Sequence, residues 1–319
     1  YRRLDAGSGQ GIWRRLLMKV LLTGAAGQLG RALIDEMPTG IELLATSRHG
    51  GDHLVALDLA DSKACRQVVE ELRPDWVLNA GAYTAVDKAE AEPDLAHAVN
   101  GGAPRAFAEA IKAHGGRLLQ LSTDFVFNGQ QGSPYRVDQS RDPLGVYGAS
   151  KASGEEAVQE LLGASGQGVV LRTSWVMGPV GKNFALTMLR LHREREQLGV
   201  VADQVGCPSS TLNLATACWT VITRSREGME LPPVLHWCDG GAASWYDVSV
   251  AVGELALDLG LLESAATVNP ISTADYPTPA ARPGYSLLDC QASRQVLQLE
   301  VQQWRAALRD VLRAIPTNP

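Results

Sequence analysis

From Lys19 onward the chain alternates short apolar runs with stretches of helical periodicity, and a glycine-rich turn stands between the first two. No other feature constrains the fold as much. Val20-Leu21-Leu22-Thr23 reads as a buried strand, Gly24, Gly27 and Gly30 follow at a spacing of three and three, and a helix then runs through Met37. Strands apolar along their whole length are buried on both faces, which requires helices on each side and a parallel sheet between them. Further strands are predicted at Glu42–Thr46, Leu54–Leu57, Trp76–Asn79, Arg117–Ser122 and Val169–Arg172. Helices are predicted at about Ser62–Leu72, about Leu95–His114, and through Tyr147 to Leu162. The expected fold is α/β, a doubly wound parallel sheet.

With 319 residues, 45% of them hydrophobic, the chain can bury one large core or two modest ones. A net charge of −6 without any basic run speaks against nucleic acid and anionic membrane as partners. Five cysteines, odd in number and without a Cys-x-x-Cys, suit a reducing cytoplasm in which they are buried thiols. No apolar run approaches the roughly 20 residues that span a bilayer. The segment from Arg14 to Leu22 imitates a signal peptide, but Lys19 interrupts it and the glycines follow directly. Residues 1–17 lack periodicity and are expected to be an extension upstream of a start at Met18.

Glycine at positions 24, 27 and 30 lets the backbone turn tightly and approach a diphosphate, whose charge then lies at a helix N-terminus. Gln28 and Leu29 lie within the same turn. Strand, turn and helix in this order mark a Rossmann-type NAD(P)-binding domain. A carboxylate at the end of the second strand would hold the 2′-hydroxyl of NAD, yet the chain reads Thr46-Ser47-Arg48 there. The planar fork of Arg48 suits a 2′-phosphate, which favours NADPH; NADH is the alternative if Arg48 is an ordinary surface arginine. Asp58 and Leu59 are placed to contact adenine. Asn79-Ala80-Gly81-Ala82-Tyr83-Thr84 closes the fourth strand with small residues, which adds Ala80, Ala82, Tyr83 and Thr84 to the cofactor contacts.

Tyr147 and Lys151 stand four apart, a spacing that puts a phenol and an ammonium on one helix face. A nearby cation draws a tyrosine down from its reference pKa of about 10 toward neutrality. Tyr147 is then a candidate proton donor to a carbonyl that receives hydride, with Lys151 tuning it. Tyr-x-x-x-Lys alone is as easily a solvated helix face; its place behind a nucleotide-binding turn gives it weight. After Trp175 the loops become proline-rich and the helices irregular. The expected division is 18–174 for the nucleotide-binding domain and 175–319 for a mainly substrate-binding region, with some segments returning to the sheet.

Together these residues resemble the extended short-chain dehydrogenase/reductases. More narrowly, Thr84-Ala-Val-Asp-Lys-Ala-Glu90, Ser122-Thr-Asp-Phe-Val-Phe127, Arg172-Thr-Ser-Trp-Val176, Asn183-Phe-Ala-Leu-Thr-Met-Leu189, Asp203-Gln-Val-Gly206 and Tyr276-Pro-Thr-Pro-Ala-Ala-Arg-Pro283 are similar to strings of the dTDP-4-dehydrorhamnose reductase family. The resemblance runs from Met18 to about Trp304. It implies hydride delivery to C4 of a dTDP-4-dehydro-sugar, protonation by Tyr147, and contact of Lys151 with the nicotinamide ribose. It further implies that Thr123 bonds the substrate oxygen, Asp124 binds sugar hydroxyls, and Trp175 walls the sugar ring, core packing being the other reading of Trp175. Arg282 leads the candidates for the substrate diphosphate, ahead of Lys182, Arg193 and Arg195. Trp245 and Tyr246 either stack on thymine or simply pack.

Some members of the family are expected to form homodimers bridged by magnesium through glutamates. After Pro208 this chain reads Ser-Ser-Thr-Leu-Asn-Leu-Ala, without the oxygen ligands a hard cation needs, so no metal site is expected and a homodimer stays open. Two other readings share the fold: a non-catalytic regulatory subunit, and a nucleotide-sugar epimerase or dehydratase. Thr123, Tyr147 and Lys151 together argue against the first, Arg48 and the Arg172 string against the second.

Overall fold

The structure, a computed structural model, describes residues 17–316. The extension expected over residues 1–17 therefore lies, apart from Leu17, outside the described residues. Seven strands form one all-parallel sheet: β1 (Met18–Thr23), β2 (Ile41–Ser47), β3 (Val55–Ala56), β4 (Trp76–Asn79), β5 (Arg117–Thr123), β6 (Gly168–Thr173) and β7 (Val234–His236). Their order is β3-β2-β1-β4-β5-β6-β7. Period-two alternation divides each strand between two cores. Val20, Leu22, Leu78, Leu119 and Leu171 face α1 (Gln28–Asp35) and a later helix, Thr211–Arg226. Leu21, Val77, Leu118 and Val170 face α2 (Ser62–Leu72), α3 (Ala103–His114) and α4 (Val146–Leu162). Both faces of the central strands are dry, as the apolar runs require, while the edge strand β3 is exposed.

Two segments beyond residue 175 thus belong to the first body: β7 completes the sheet, and the helix Thr211–Arg226 covers it, Trp219 Nε1 donating to Leu33 O at 2.9 Å. Most of the remaining C-terminal chain builds a third core around helices Phe184–Glu194, Trp245–Asp258 and Trp304–Arg313. No described helix is long and apolar enough to cross a membrane.

Two helices differ from expectation. The first stops at Asp35 rather than Met37. The helix expected over Leu95–His114 is interrupted by a wide turn at Ala98–Gly102, because the Asn100 side chain is used elsewhere. Its Oδ1 accepts from Tyr83 N at 2.9 Å while its Nδ2 donates to Tyr83 O and Ser150 Oγ, both at 3.0 Å. Such single-turn bulges recur where a helix must aim one side chain.

Candidate active site

β1 and β4 are sheet neighbours although β2 and β3 lie between them in the chain, so the crossovers leaving their carboxyl ends part to opposite sides and leave a crevice. A cavity of about 480 Å³ opens there, floored by backbone. Gly24 sits at φ +68, and a Cβ on it would come 2.6 Å from Gly81 Cα; one on Gly30 would come 2.2 Å from Gly24 O. A side chain at either point would collide with the backbone that forms the turn. Gly27 caps α1 without a side-chain hydrogen bond, and the first turn holds no acidic residue, so its N–H groups and the positive end of its dipole are free for an anion. Beneath the floor, Thr23 Oγ1 accepts from Gly81 N at 3.1 Å and donates to Asn79 Oδ1 at 2.5 Å, and Asn79 Nδ2 donates to Gln120 Oε1 at 2.6 Å. This ladder ties the ends of β1 and β4 to the middle of β5.

Tyr147 and Lys151 reach the same cavity from α4. The helix lies nearly backbone to backbone on its neighbours: a Cβ on Gly148 would stand 2.2 Å from Phe125 O, and one on Gly154 2.2 Å from Asn100 O. Glu90 Oε1 accepts from its first N–H, that of Val146, at 2.8 Å. Lys151 is buried, and its Nζ donates to Leu121 O at 2.6 Å. Burial lowers the lysine to about 8, against the pull of the Glu155 carboxylate. The expected depression of the tyrosine does not occur. Burial pushes the Tyr147 phenol up to about 12, a hydrogen bond with Thr123 opposing the rise and the Asp124 charge adding to it. The shared helix face is present, but the strand carbonyl takes the ammonium. At neutral pH the phenol keeps its proton.

Gly24, Gly27, Gln28, Leu29, Gly30, Arg48, Ala80, Ala82, Thr84, Tyr147 and Lys151 all line the cavity. Asp58, Leu59 and Tyr83 are held outside its lining. Asp58 Oδ2 accepts from Arg48 Nε at 3.2 Å, Leu59 Cδ1 would stand 2.5 Å from a Cβ on Gly81, and the Tyr83 hydroxyl donates to Glu92 Oε2 at 2.7 Å. Sequence reasoning misses Ser47, Gly81, Ser122, Thr173 and Val176, which also line it. Gly81 was within reach, standing between two expected contacts. Thr173 enters by pairing with Thr123 across β5 and β6, which no local pattern announces.

At the end of β5, outside the cavity lining, Thr123 Oγ1 donates to Asp124 Oδ1 at 3.0 Å and accepts from Phe125 N at 3.2 Å. Asp124 is buried, its Oδ2 lacks a hydrogen-bond partner, and burial raises its pKa to about 6. Trp175 adopts φ +46, a conformation uncommon for a bulky residue and a form of strain that clusters at functional sites. Its ring stacks on Trp245 at 3.6 Å and 8°, and Phe184 leans on Trp245 at 4.6 Å. Arg282 has a partner within the protein: its Nη1 and Nη2 donate to Asp87 Oδ1 and Oδ2 at 3.1 and 2.8 Å. Its fork fastens the proline-rich loop to the segment after β4. Arg193 is likewise occupied, Nη2 donating to Leu261 O at 3.2 Å.

An all-parallel sheet with a glycine-floored crevice at its switch point, lined by a tyrosine and a lysine one helical turn apart, defines a nucleotide-dependent oxidoreductase of the short-chain dehydrogenase/reductase class. The profile of the family described as "RmlD substrate binding domain" matches residues 18–316. The dTDP-4-dehydrorhamnose reductase of Aggregatibacter actinomycetemcomitans is 36% identical over 298 residues, 92% of this chain and 98% of that one. That of Streptomyces griseus is 39% identical over 299 residues, 92% and 93% of the two chains. The crystal structure of the Bacillus anthracis dTDP-4-dehydrorhamnose reductase in complex with NADP superposes with a TM-score of 0.81 at 32% identity, covering 92% of this chain and 98% of that chain. The chain belongs to the dTDP-4-dehydrorhamnose reductase family.

Proposed function

We propose that this protein reduces the C4 ketone of dTDP-4-dehydro-L-rhamnose to dTDP-L-rhamnose with NADPH. The observation that carries the reading is that Tyr147 and Lys151 enter one end of a glycine-floored cavity while Thr123 and Asp124 end the neighbouring strand. The residues fit a dinucleotide: the cradle excludes side chains, and the charged residues lining the cavity (Arg48, Lys151 and Lys182) are all cations. Bound NADPH supplies the hydride. Tyr147, protonated at neutral pH, gives its proton to the oxygen that was the ketone. Thr123 stands beside the phenol, and the buried ammonium of Lys151 stabilises negative charge in the same site. Asp124 Oδ2, without a hydrogen-bond partner among the described residues although Ser286 stands by the carboxyl, takes a sugar hydroxyl. The stacked Trp175 presents an apolar wall to the ring.

In this reading residues 18–174 hold most of the dinucleotide, Val176, Gly181 and Lys182 completing its cavity, and the later chain mainly supplies the substrate side. Arg48 at the end of β2 favours the 2′-phosphate form. A cytoplasmic setting fits the five buried, free cysteines. The test is NADPH oxidation by the purified protein with dTDP-4-dehydro-L-rhamnose, in the presence of a chelator. Turnover is expected; a folded protein that binds NADPH yet never oxidises it overturns the reading in favour of a non-catalytic relative.

The free enzyme holds Asp124 near 6 and Lys151 near 8, both shifted by burial. Asp124 must lose its proton for Oδ2 to accept a sugar hydroxyl while Oδ1 accepts from Thr123, and Lys151 must keep its own to remain a cation. The kcat/KM profile is therefore expected to be a bell, rising through about 6 and falling through about 8. Asp124→Asn removes the acid limb. A profile that keeps that limb in the variant assigns it to another group.

A further inference from the structure

Lys182 belongs to the C-terminal part of the sequence, yet it lines the cavity alongside the glycine turn. The loop that carries it is fastened to that turn. Gly181 has φ +81, and a Cβ on it would stand 3.5 Å from the Cβ of Gln28, the first residue of α1. Asn183 Nδ2 donates to Gln28 Oε1 at 3.1 Å and to Gly178 O at 2.8 Å, while Gln28 Nε2 donates to Val176 O at 3.2 Å. Gln28 thus locks the loop over the first turn of the helix, and Lys182 is brought there with it. The lysine is exposed and, among the described residues, pairs with no carboxylate.

The charge pattern says what belongs opposite it. The chain as a whole carries a net charge of −6, yet no carboxylate lines this cavity, and its charged lining consists of Arg48, Lys151 and Lys182. These stand at three different places: at the end of β2, against the end of β5, and beside the first turn of α1. Like charges gathered in a crevice with low-dielectric walls repel one another unless an anion joins them. Arg48 lies toward the adenosine end, where a 2′-phosphate would sit, and Lys151 toward the reacting end. Lys182 is the cation whose loop is fastened to the N-terminus of α1, the place where a diphosphate is favoured.

We infer that Lys182 binds the diphosphate of the dinucleotide, so that a loop from the substrate-side part of the chain closes the cofactor site. This rests on the dinucleotide reading given above. Lys182 therefore serves the cofactor, not the diphosphate of the sugar nucleotide. Because the diphosphate is common to both nucleotides, Lys182 should act on NADH and NADPH alike, whereas Arg48 should act on NADPH alone.

The test is to titrate NADPH and NADH separately into the parent, Lys182→Ala, Lys182→Arg and Arg48→Ala, following binding by calorimetry at low and high ionic strength. Lys182→Ala is expected to weaken both nucleotides by about tenfold, and Lys182→Arg to restore most of the loss. The effect of Lys182→Ala shrinks as salt rises, since the lysine is exposed. Arg48→Ala weakens NADPH and leaves NADH unchanged. Unaltered affinity in Lys182→Ala, or a loss confined to NADPH, overturns the assignment. A folded parent that binds neither nucleotide overturns the cofactor reading beneath it instead.

Discussion

Tyr147→Phe is expected to lower kcat by on the order of 10² to 10⁴ while leaving NADPH affinity and thermal stability close to those of the parent. The ring stays where it is: it meets Phe125 edge to face, with centroids 5.5 Å apart and planes at 73°, a contact phenylalanine also makes. Only the hydroxyl is lost, and with it the acid that neutralises the alkoxide. The high phenol pKa of about 12 suits a donor, because the proton is on the oxygen when the ketone arrives. An interaction made in the transition state and not in the ground state lowers kcat and kcat/KM together. Equal losses in both, with an unchanged KM, are therefore expected from steady-state kinetics. A loss of less than about tenfold would place the proton donor elsewhere, with Thr123 the next hydroxyl in line.

The contrast between Tyr147 and its lysine shows where sequence reasoning stops. That the two residues share a helix face follows from spacing alone. Where the ammonium goes does not, because its acceptor is the carbonyl of Leu121, thirty residues away on another element. The same limit explains Arg282, whose fork is taken by Asp87, 195 residues earlier, and the wide turn at Asn100, which exists to serve Tyr83 and Ser150. Six of the seven strands were legible for the opposite reason, the seventh, Val234–His236, being a three-residue run far from the others in sequence. Burial on both faces makes each strand a run of apolar residues, so Trp76–Asn79 and the helix Ser62–Leu72 could be bounded without knowing their neighbours. The glycine cradle lies between these cases. Position and spacing announced Gly24 and Gly30, but the reason Gly81 must also be glycine is the backbone of Gly24 and the side chain of Leu59.

Arg172→Met is expected to destabilise the fold by about 3–5 kcal/mol, the cost of leaving one member of a buried ion pair alone. Arg172 and Glu155 are 2% and 0% exposed. Nε donates to Oε1 at 2.9 Å and Nη2 to Oε2 at 2.7 Å, and the guanidinium lies 5.0 Å from the Phe127 ring centre. The pair joins β6 to α4 one turn beyond Lys151, so it fixes the depth of the helix that carries both catalytic candidates. In the variant, Glu155 keeps only Arg141, whose Nη1 donates to Oε2 at 3.3 Å. Removing both charges has the opposite consequence: Arg172→Met with Glu155→Leu leaves no unpaired ion and is expected to recover most of the stability. Urea unfolding of the four proteins of the cycle measures this directly. The kinetics of the double variant then separate two roles. If the pair only holds the fold together, kcat returns with stability. If its geometry also sets where Lys151 and Tyr147 stand, kcat stays low in a protein that is stable again, since a shift of about 1 Å in a catalytic group can cost on the order of 10²-fold. The second outcome is expected, because the two hydrogen bonds fix a distance between strand and helix that an apolar contact leaves free to vary.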